Sequence, residues 1–168
     1  YQLKPDLFWC WGKPSCDHIL SSSSDRNIHI PIVGGFPWLD YFKKFIHDQD
    51  NIVNKYSFIS SNMSVVLFTL QAPQGNHTEP IPDFVIDFLV NQNDNNYFFI
   101  FRCHPNQPQL ISYCKQRLQN ISTTFYAIDS GCTNLYDILA LTTYHITAYS
   151  STCYEAEAFS VPTLLFGV

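Results

Sequence analysis

Two short segments carry side chains that can hold an anion. The first reads Arg102-Cys-His-Pro-Asn106, with an imidazole immediately before a proline. Pro105 fixes its own backbone and disfavours a helical His104, so the ring is presented from a stiff, extended position. There His104 can donate to a phosphate oxygen, act as an acid, or satisfy a local carbonyl. The second reads Ala148-Tyr-Ser-Ser-Thr152 and runs straight into Cys153-Tyr-Glu-Ala-Glu-Ala-Phe159. Hydroxyls at a helix start cap its free amides, and those amides together with the helix dipole favour an anion. A cap uses one hydroxyl. Ser150, Ser151 and Thr152 in succession leave donors over for a phosphate. Glu155 falls in the first turn, where a carboxylate suits the dipole and can accept from both hydroxyls of a ribose; Glu157 points to another face of the helix.

Weaker candidates surround these two. Arg102 reads as a strand-end residue that anchors its neighbourhood by a salt bridge or faces an anion. Asp129-Ser-Gly131 is both an ordinary turn sequence and a place where a base or ribose can rest. Gln71 to Asn76, with Gly75 followed by His77, can line a cleft on the side of an acceptor. Gly34-Gly35 lacks the spacing of a dinucleotide loop and reads as a turn. A Ser-His-Asp triad is not assigned, because the Gly-x-Ser-x-Gly elbow is absent from the sequence.

The elements that must position these side chains follow from hydrophobic periodicity. Asp6 to Trp11 reads as a buried strand closed by Gly12-Lys-Pro14, then a short helix over Ser15–Leu20, then a second strand over Ile28–Val33 stopped by Gly34-Gly35 and Pro37. Apolar residues at 38, 39, 42, 45 and 46 fall at helical spacing. Beyond a polar stretch the pattern alternates: strands Ser64–Leu70, Tyr97–Arg102, Thr123–Ala127, His145–Ala148 and Thr163–Phe166, with helices Pro82–Val90, Pro108–Leu118, Asn134–Leu141 and Thr152–Phe159 between them. Short, wholly apolar strands separated by helices predict an α/β fold with a doubly wound, mostly parallel sheet covered on both faces. Ligands of such sheets sit beyond the carboxyl ends of the strands, which is where both anion-holding segments fall. The expected division is residues 1–45 as the end of an amino-terminal domain with its linker, and residues 46–168 as a nucleotide-binding domain truncated at its carboxyl end.

Composition narrows the function classes. With 168 residues and 46% apolar content the chain can bury one substantial core, and its 14 Phe, 10 Tyr and 3 Trp serve that core first. A net charge of −5 with nine scattered Lys and Arg provides no basic stripe, which argues against a nucleic-acid partner. The apolar runs are far shorter than the roughly 20 residues that span a bilayer, and the first residues do not resemble a signal peptide. Six Cys at positions 10, 16, 103, 114, 132 and 153 show neither zinc spacing nor a compact disulfide framework, so free thiols in a reducing cytoplasm and no metal are expected. Three Asn-x-Ser/Thr triplets, at Asn62, Asn76 and Asn120, arise readily in a chain this rich in Asn and Ser.

With the strand-Arg-x-His-Pro run of Phe98 to Pro105 and the Ser-Ser-Thr-x-x-Glu-Ala run of Ser150 to Pro162, the sequence resembles the carboxyl-terminal domain of GT-B glycosyltransferases. The likeness is to bacterial sialyltransferase-like and capsular-polysaccharide transferases, with Ser160 where the pattern has Gly. The resemblance implies that His104, Ser150 and Ser151 clamp the phosphate of a cytidine-monophosphate sugar, with Thr152 beside them and a UDP-sugar as the other donor, and that Glu155 contacts the donor ribose. It implies a glycan acceptor in surface polysaccharide synthesis, no cofactor beyond the sugar-nucleotide substrate, and an acidic acceptor base on an amino-terminal domain outside this chain. It also implies a cytoplasmic location, with peripheral association at the inner membrane as an option. Asp129 is carried as a second ribose or base contact, and Gln71 with Gly75 as the acceptor side. Two other readings stand beside this one: an enzyme resembling the sugar-nucleotide 2-epimerases, and a non-catalytic nucleotide-binding or assembly module.

Overall fold

A computed structural model describes residues 6–22, 30–44, 55–56, 59, 62–73, 79–92 and 96–166. The chain divides into two compact units, Tyr1–Lys44 and Phe45–Val168.

In the first unit, strands β1 (Leu7–Cys10) and β2 (Ile30–Val33) pair in parallel, and helices α1 (Lys13–Ser22) and α2 (Pro37–Lys44) follow each of them. The Gly34-Gly35 turn has a packing reason as well as a conformational one. Gly35 adopts a φ of 73°, and a Cβ on Gly34 would fall 2.1 Å from the Trp9 ring. The Trp9 indole N–H donates to the Gly35 carbonyl at 2.8 Å, closing the turn over the ring.

The second unit holds the site. Its strands are β3 (Ser64–Thr69), β4 (Tyr97–Arg102), β5 (Tyr126–Asp129), β6 (Tyr144–Thr147) and β7 (Thr163–Leu165), joined in turn by helices α3 (Asp83–Asn91), α4 (Gln109–Arg117), α5 (Leu135–Leu141) and α6 (Thr152–Ala158). All the pairings are parallel and the order across the sheet is β5-β4-β3-β6-β7. The chain steps outward from β3 to β5, then crosses to the other side of β3 to lay down β6 and β7. The doubly wound parallel sheet expected from the sequence is therefore what forms, and its direction reverses between β3 and β6.

The reason is visible in the strands. β3 alternates between two cores: Val66, Phe68 and Leu70 pack with Val85 and Leu89 of α3 and Leu110 and Cys114 of α4, while Val65 and Leu67 pack with Ile138 and Leu139 of α5 and Ala156 of α6. Both faces of β3 and β4 must be apolar to be covered this way, which is why these strands read as unbroken hydrophobic runs. Each fully buried Phe or Leu of this set contributes about 1.5–3 kcal/mol of transfer free energy.

Some boundaries differ from the sequence expectation. β5 begins at Tyr126, three residues later than expected, because Ser122 and Thr124 close a turn through their hydroxyls, 2.8 Å apart, and Phe125 N–H bonds back to Ser122. The consequence matters for the site: Asp129 becomes the last residue of β5 rather than part of the following loop. Residues 28–29 and 45–46, expected within the second strand and the helix of the first unit, lie outside the described residues, as do Gly75 and His77. Among the described residues no helix is long and apolar enough to cross a membrane.

Candidate functional site

The loops that leave β3, β4 and β6 meet at the carboxyl edge of the sheet. They enclose a cleft of about 180 Å³ lined by Thr69, Gln71, Arg102, His104, Pro105, Ser150 and Thr152, with Leu70, Cys103 and Leu135 as its apolar parts. A second hollow of about 280 Å³ adjoins it, sharing Gln71 and His104 and bounded by Tyr149 and Gln107. His104, Ser150, Thr152 and Gln71, four of the residues singled out in the sequence, are thus brought to one place, on either side of the point where the sheet reverses. Crevices of this kind are where open α/β sheets take ligands. A larger groove of about 550 Å³ lies between α3 and strands β6 and β7, but it is almost wholly apolar and holds none of those residues.

His104 is exposed, and the Asn106 backbone N–H donates to its Nδ1 at 3.2 Å. With Nδ1 engaged as an acceptor, the neutral ring carries its proton on Nε2. The imidazole therefore offers an N–H donor, held by the stiff Pro105 turn. That turn is pressed in turn by the loop after β5. Gly131 has a φ of 86°, and a Cβ there would stand 2.7 Å from the Cys103 carbonyl oxygen and 3.0 Å from the Pro105 ring. Only glycine fits both the backbone conformation and the gap.

The opposite wall is the β6–α6 loop. Ser150 Oγ accepts the Thr152 N–H at 3.2 Å and donates to Thr152 Oγ1 at 2.9 Å. Ser151 occupies the N-cap position of α6 with helical backbone angles and makes no capping hydrogen bond through its side chain. The cap anticipated from three successive hydroxyls is therefore supplied by Ser150. Ser151 is exposed and does not line the cleft. Two further bonds tie this wall to the β3 loop across the reversal point: Tyr149 N–H donates to Gln71 Oε1 at 2.9 Å, and Tyr149 O–H donates to the Ala72 carbonyl.

Beneath His104, Arg102 and Asp129 form a buried ion pair, Nη1 to Oδ2 at 2.6 Å. Arg102 also donates to the carbonyls of Thr133 at 2.9 Å and Gly131 at 3.4 Å, and so ties down the loop after β5. Asp129 accepts from the Gly131 N–H at 3.1 Å and from the Thr133 hydroxyl, and its side chain is 0% exposed. The salt bridge read for Arg102 is present. The expectation that Asp129 contacts a ribose or base is corrected by its burial: both carboxylate oxygens are occupied from within the protein and no surface is offered to a ligand.

Glu155 sits half-buried on α6 away from the cleft lining. Its Oε2 is buried without a hydrogen-bond partner, and burial raises its carboxyl above the usual range. Three contributors went unnoticed in the sequence. Lys55 reaches Asp129 from a polar stretch with no motif around it, Nζ to Oδ1 at 3.4 Å. Thr69 is the last residue of an apolar strand, and its hydroxyl on the cleft wall lies 2.9 Å from Nε2 of the buried His145. Tyr149 ties its loop to Gln71 and Ala72. Contacts between segments far apart in the sequence create all three roles, and a single sequence carries no signal of them.

All six cysteines are free. Among the described residues no group of three His, Cys, Asp or Glu side chains is placed to hold a metal ion.

No protein-family model matches the sequence, and no curated protein matches it either. Solved structures do share the fold. The wall teichoic acid polymerase TagF superposes with a TM-score of 0.67 at 19% identity, over 96% of this chain and 39% of TagF. The UDP-GlcNAc 2-epimerase from Neisseria meningitidis, bound to UDP-GlcNAc, gives 0.60 at 15% identity over 95% of this chain and 43% of the enzyme. The E. coli ADP-heptose LPS heptosyltransferase II gives 0.52 at 16% identity over 69% and 36%. The chain therefore has a GT-B-type, Rossmann-like fold and spans about two fifths of the polymerase it matches. Identities this low establish the fold alone.

Proposed function

We propose that this chain is the donor-binding part of a glycosyltransferase that uses a nucleotide-activated sugar. The observation that carries the reading is the convergence of His104 with Ser150 and Thr152 on one cleft at the reversal point of a β5-β4-β3-β6-β7 sheet. The leaving phosphate would lie between them. The Nε2–H of His104 and the hydroxyls of Ser150 and Thr152 then stabilise the charge that builds on that phosphate as the glycosidic bond breaks, an electrostatic contribution that needs no proton transfer, while Ser151 is kept in the clamp on the sequence resemblance. Glu155 is kept as the ribose partner on the sequence resemblance, although its Oε2 is buried and outside the cleft lining. Asp129 serves indirectly, by holding Arg102 against the cleft.

TagF and the heptosyltransferase act in the synthesis of surface polymers by name, and the same setting with a glycan acceptor is proposed here. The sequence resemblance favours a CMP-sugar, with a UDP-sugar as the second choice. Gln71, and Gly75 beyond it, would face the acceptor, and the acceptor base would come from an amino-terminal domain. The 2-epimerase fold is as similar, but Tyr149-Ser-Ser-Thr152 stands where such enzymes are expected to carry Asp-Ser-Gly-Gly.

Calorimetric titration of the chain with CMP and UDP tests the proposal, alongside His104→Ala and Ser151→Ala. Binding that weakens about tenfold in His104→Ala is expected for the loss of one charge-assisted hydrogen bond. Absence of binding by any nucleotide would favour a non-catalytic assembly module instead.

A further inference from the structure

A buried imidazole joins two threonine hydroxyls next to the cleft. Val65 and Leu67 of β3 face the core covered by α5 and α6, and Thr69 continues that alternation to the end of the strand. His145 stands beside Leu67 in β6 and Thr163 beside His145 in β7, so the three polar side chains share one face of the sheet. The ring is 0% exposed, with Nε2 2.9 Å from Thr69 Oγ1 and Nδ1 3.0 Å from Thr163 Oγ1. Burial keeps it neutral, its pKa lowered to about 4. Among the described residues neither hydroxyl has another hydrogen-bond partner. Of the three residues, Thr69 is the one that also lines the cleft, beside His104, Ser150 and Thr152.

A neutral imidazole has one donor and one acceptor, so two arrangements are open to this row. With the proton on Nδ1, His145 donates to Thr163, and Thr69 spends its own proton on Nε2. With the proton on Nε2, Thr163 donates to Nδ1, His145 donates to Thr69, and the Thr69 proton is left for the cleft. The second arrangement points three donors the same way, and hydrogen bonds aligned in a chain strengthen one another. An anion at the Thr69 end selects it, because every dipole of the row then faces the negative charge with its positive end. We propose that Thr69 is a further anion-binding residue of the cleft and that His145 is its positioning residue, turning the Thr69 hydroxyl toward a bound phosphate oxygen. This rests on the reading of the cleft as a phosphate site and adds a donor from β3 to those of the β4 and β6 loops.

Inorganic phosphate and UMP, titrated by calorimetry into the whole chain, Thr69→Val and Thr69→Ser, test the hydroxyl. Thr69→Val should bind both probes about tenfold more weakly, and Thr69→Ser, which keeps the donor, should stay within about threefold of the wild type. Heteronuclear NMR of the His145 ring nitrogens, assigned by the loss of their signals in His145→Gln, tests the positioning. In the phosphate-saturated wild type the ring should carry its proton on Nε2. That tautomer is read on the wild type, so it decides whether or not Thr69→Val folds. Unchanged binding in Thr69→Val, a loss in Thr69→Ser as large as in Thr69→Val, or a proton on Nδ1 in the phosphate-saturated protein would overturn the proposal. UMP binding that survives in Thr69→Val would remove it and leave the sugar-nucleotide reading standing. Phosphate binding that depends on Thr69, without binding of any nucleotide, would do the reverse, and a wild type that binds neither probe would remove both.

Discussion

On the proposed phosphate reading, His104 acts through a hydrogen bond it accepts. Because Asn106 N–H occupies Nδ1, the ring faces outward as a donor, and a donor is what a phosphate oxygen requires. The residue beneath it has a different task. Asp129 is fully buried and exists in that state only because Arg102 is beside it. Replacing Asp129 by Asn leaves the guanidinium without its counter-charge in a site of low exposure. The variant should lose about 3–5 kcal/mol of stability, read from the shift of its urea unfolding midpoint. The sequence disclosed part of this arrangement. Arg102 was legible as an ion-pairing residue because a cation at the end of an apolar strand must find a partner. Asp129 was not legible as that partner, because an Asp-Ser-Gly turn looks the same whether its carboxylate faces water or a neighbouring strand. Lys55 was invisible for the same reason, since its partner lies 74 positions away.

At the scale of elements, α6 shows how a departure from the expected pattern is absorbed. Its carboxyl end closes with Ser160 N–H to the Glu157 carbonyl at 2.8 Å and Val161 N–H to the Ala156 carbonyl at 2.9 Å. This double closure needs a residue in the left-handed region, where Ser160 has a φ of 60°. Glycine is the usual residue in such a position because it meets no Cβ penalty there. The geometry is therefore kept despite the serine, at a cost. Ser160→Gly should raise stability by about 1 kcal/mol, measurable as an increase in melting temperature, with the direction of the following strand unchanged. A variant no more stable than the wild type would show that the serine is unstrained. Strands β3 and β4 were readable to within a residue because burial on both faces leaves an unbroken apolar signature. β5 was misplaced because Thr123 and Phe125 favour a strand by type, and the hydroxyl turn of Ser122 and Thr124 prevails over that preference.

Taken whole, the sheet is a frame for three loops, and a buried histidine sits within it. His145 is fully buried in β6, its Nε2 2.9 Å from Thr69 Oγ1 and its Nδ1 3.0 Å from Thr163 Oγ1, so it links β3, β6 and β7. Burial lowers its pKa from 6.5 to about 4, which keeps the ring neutral in the fold. The unfolded chain takes up that proton first as pH falls. The stability His145 confers is then complete above its ordinary pKa and lost progressively between 6.5 and about 4. The loss is on the order of 3 kcal/mol, and unfolding free energies measured across this range should flatten in His145→Gln. Alternation of strands and helices announced the sheet and the edge at which the cleft opens. The strand order, and with it the meeting of the β4 and β6 loops, came only with the fold. The proposed phosphate site depends most on that meeting. Its direct test is the calorimetric titration of CMP and UDP into wild type, His104→Ala, Thr152→Ala and the double variant. Two walls of one phosphate site predict that each single substitution weakens binding and that the double variant loses less than the sum of the two. Strictly additive losses, or binding untouched by either substitution, would contradict it.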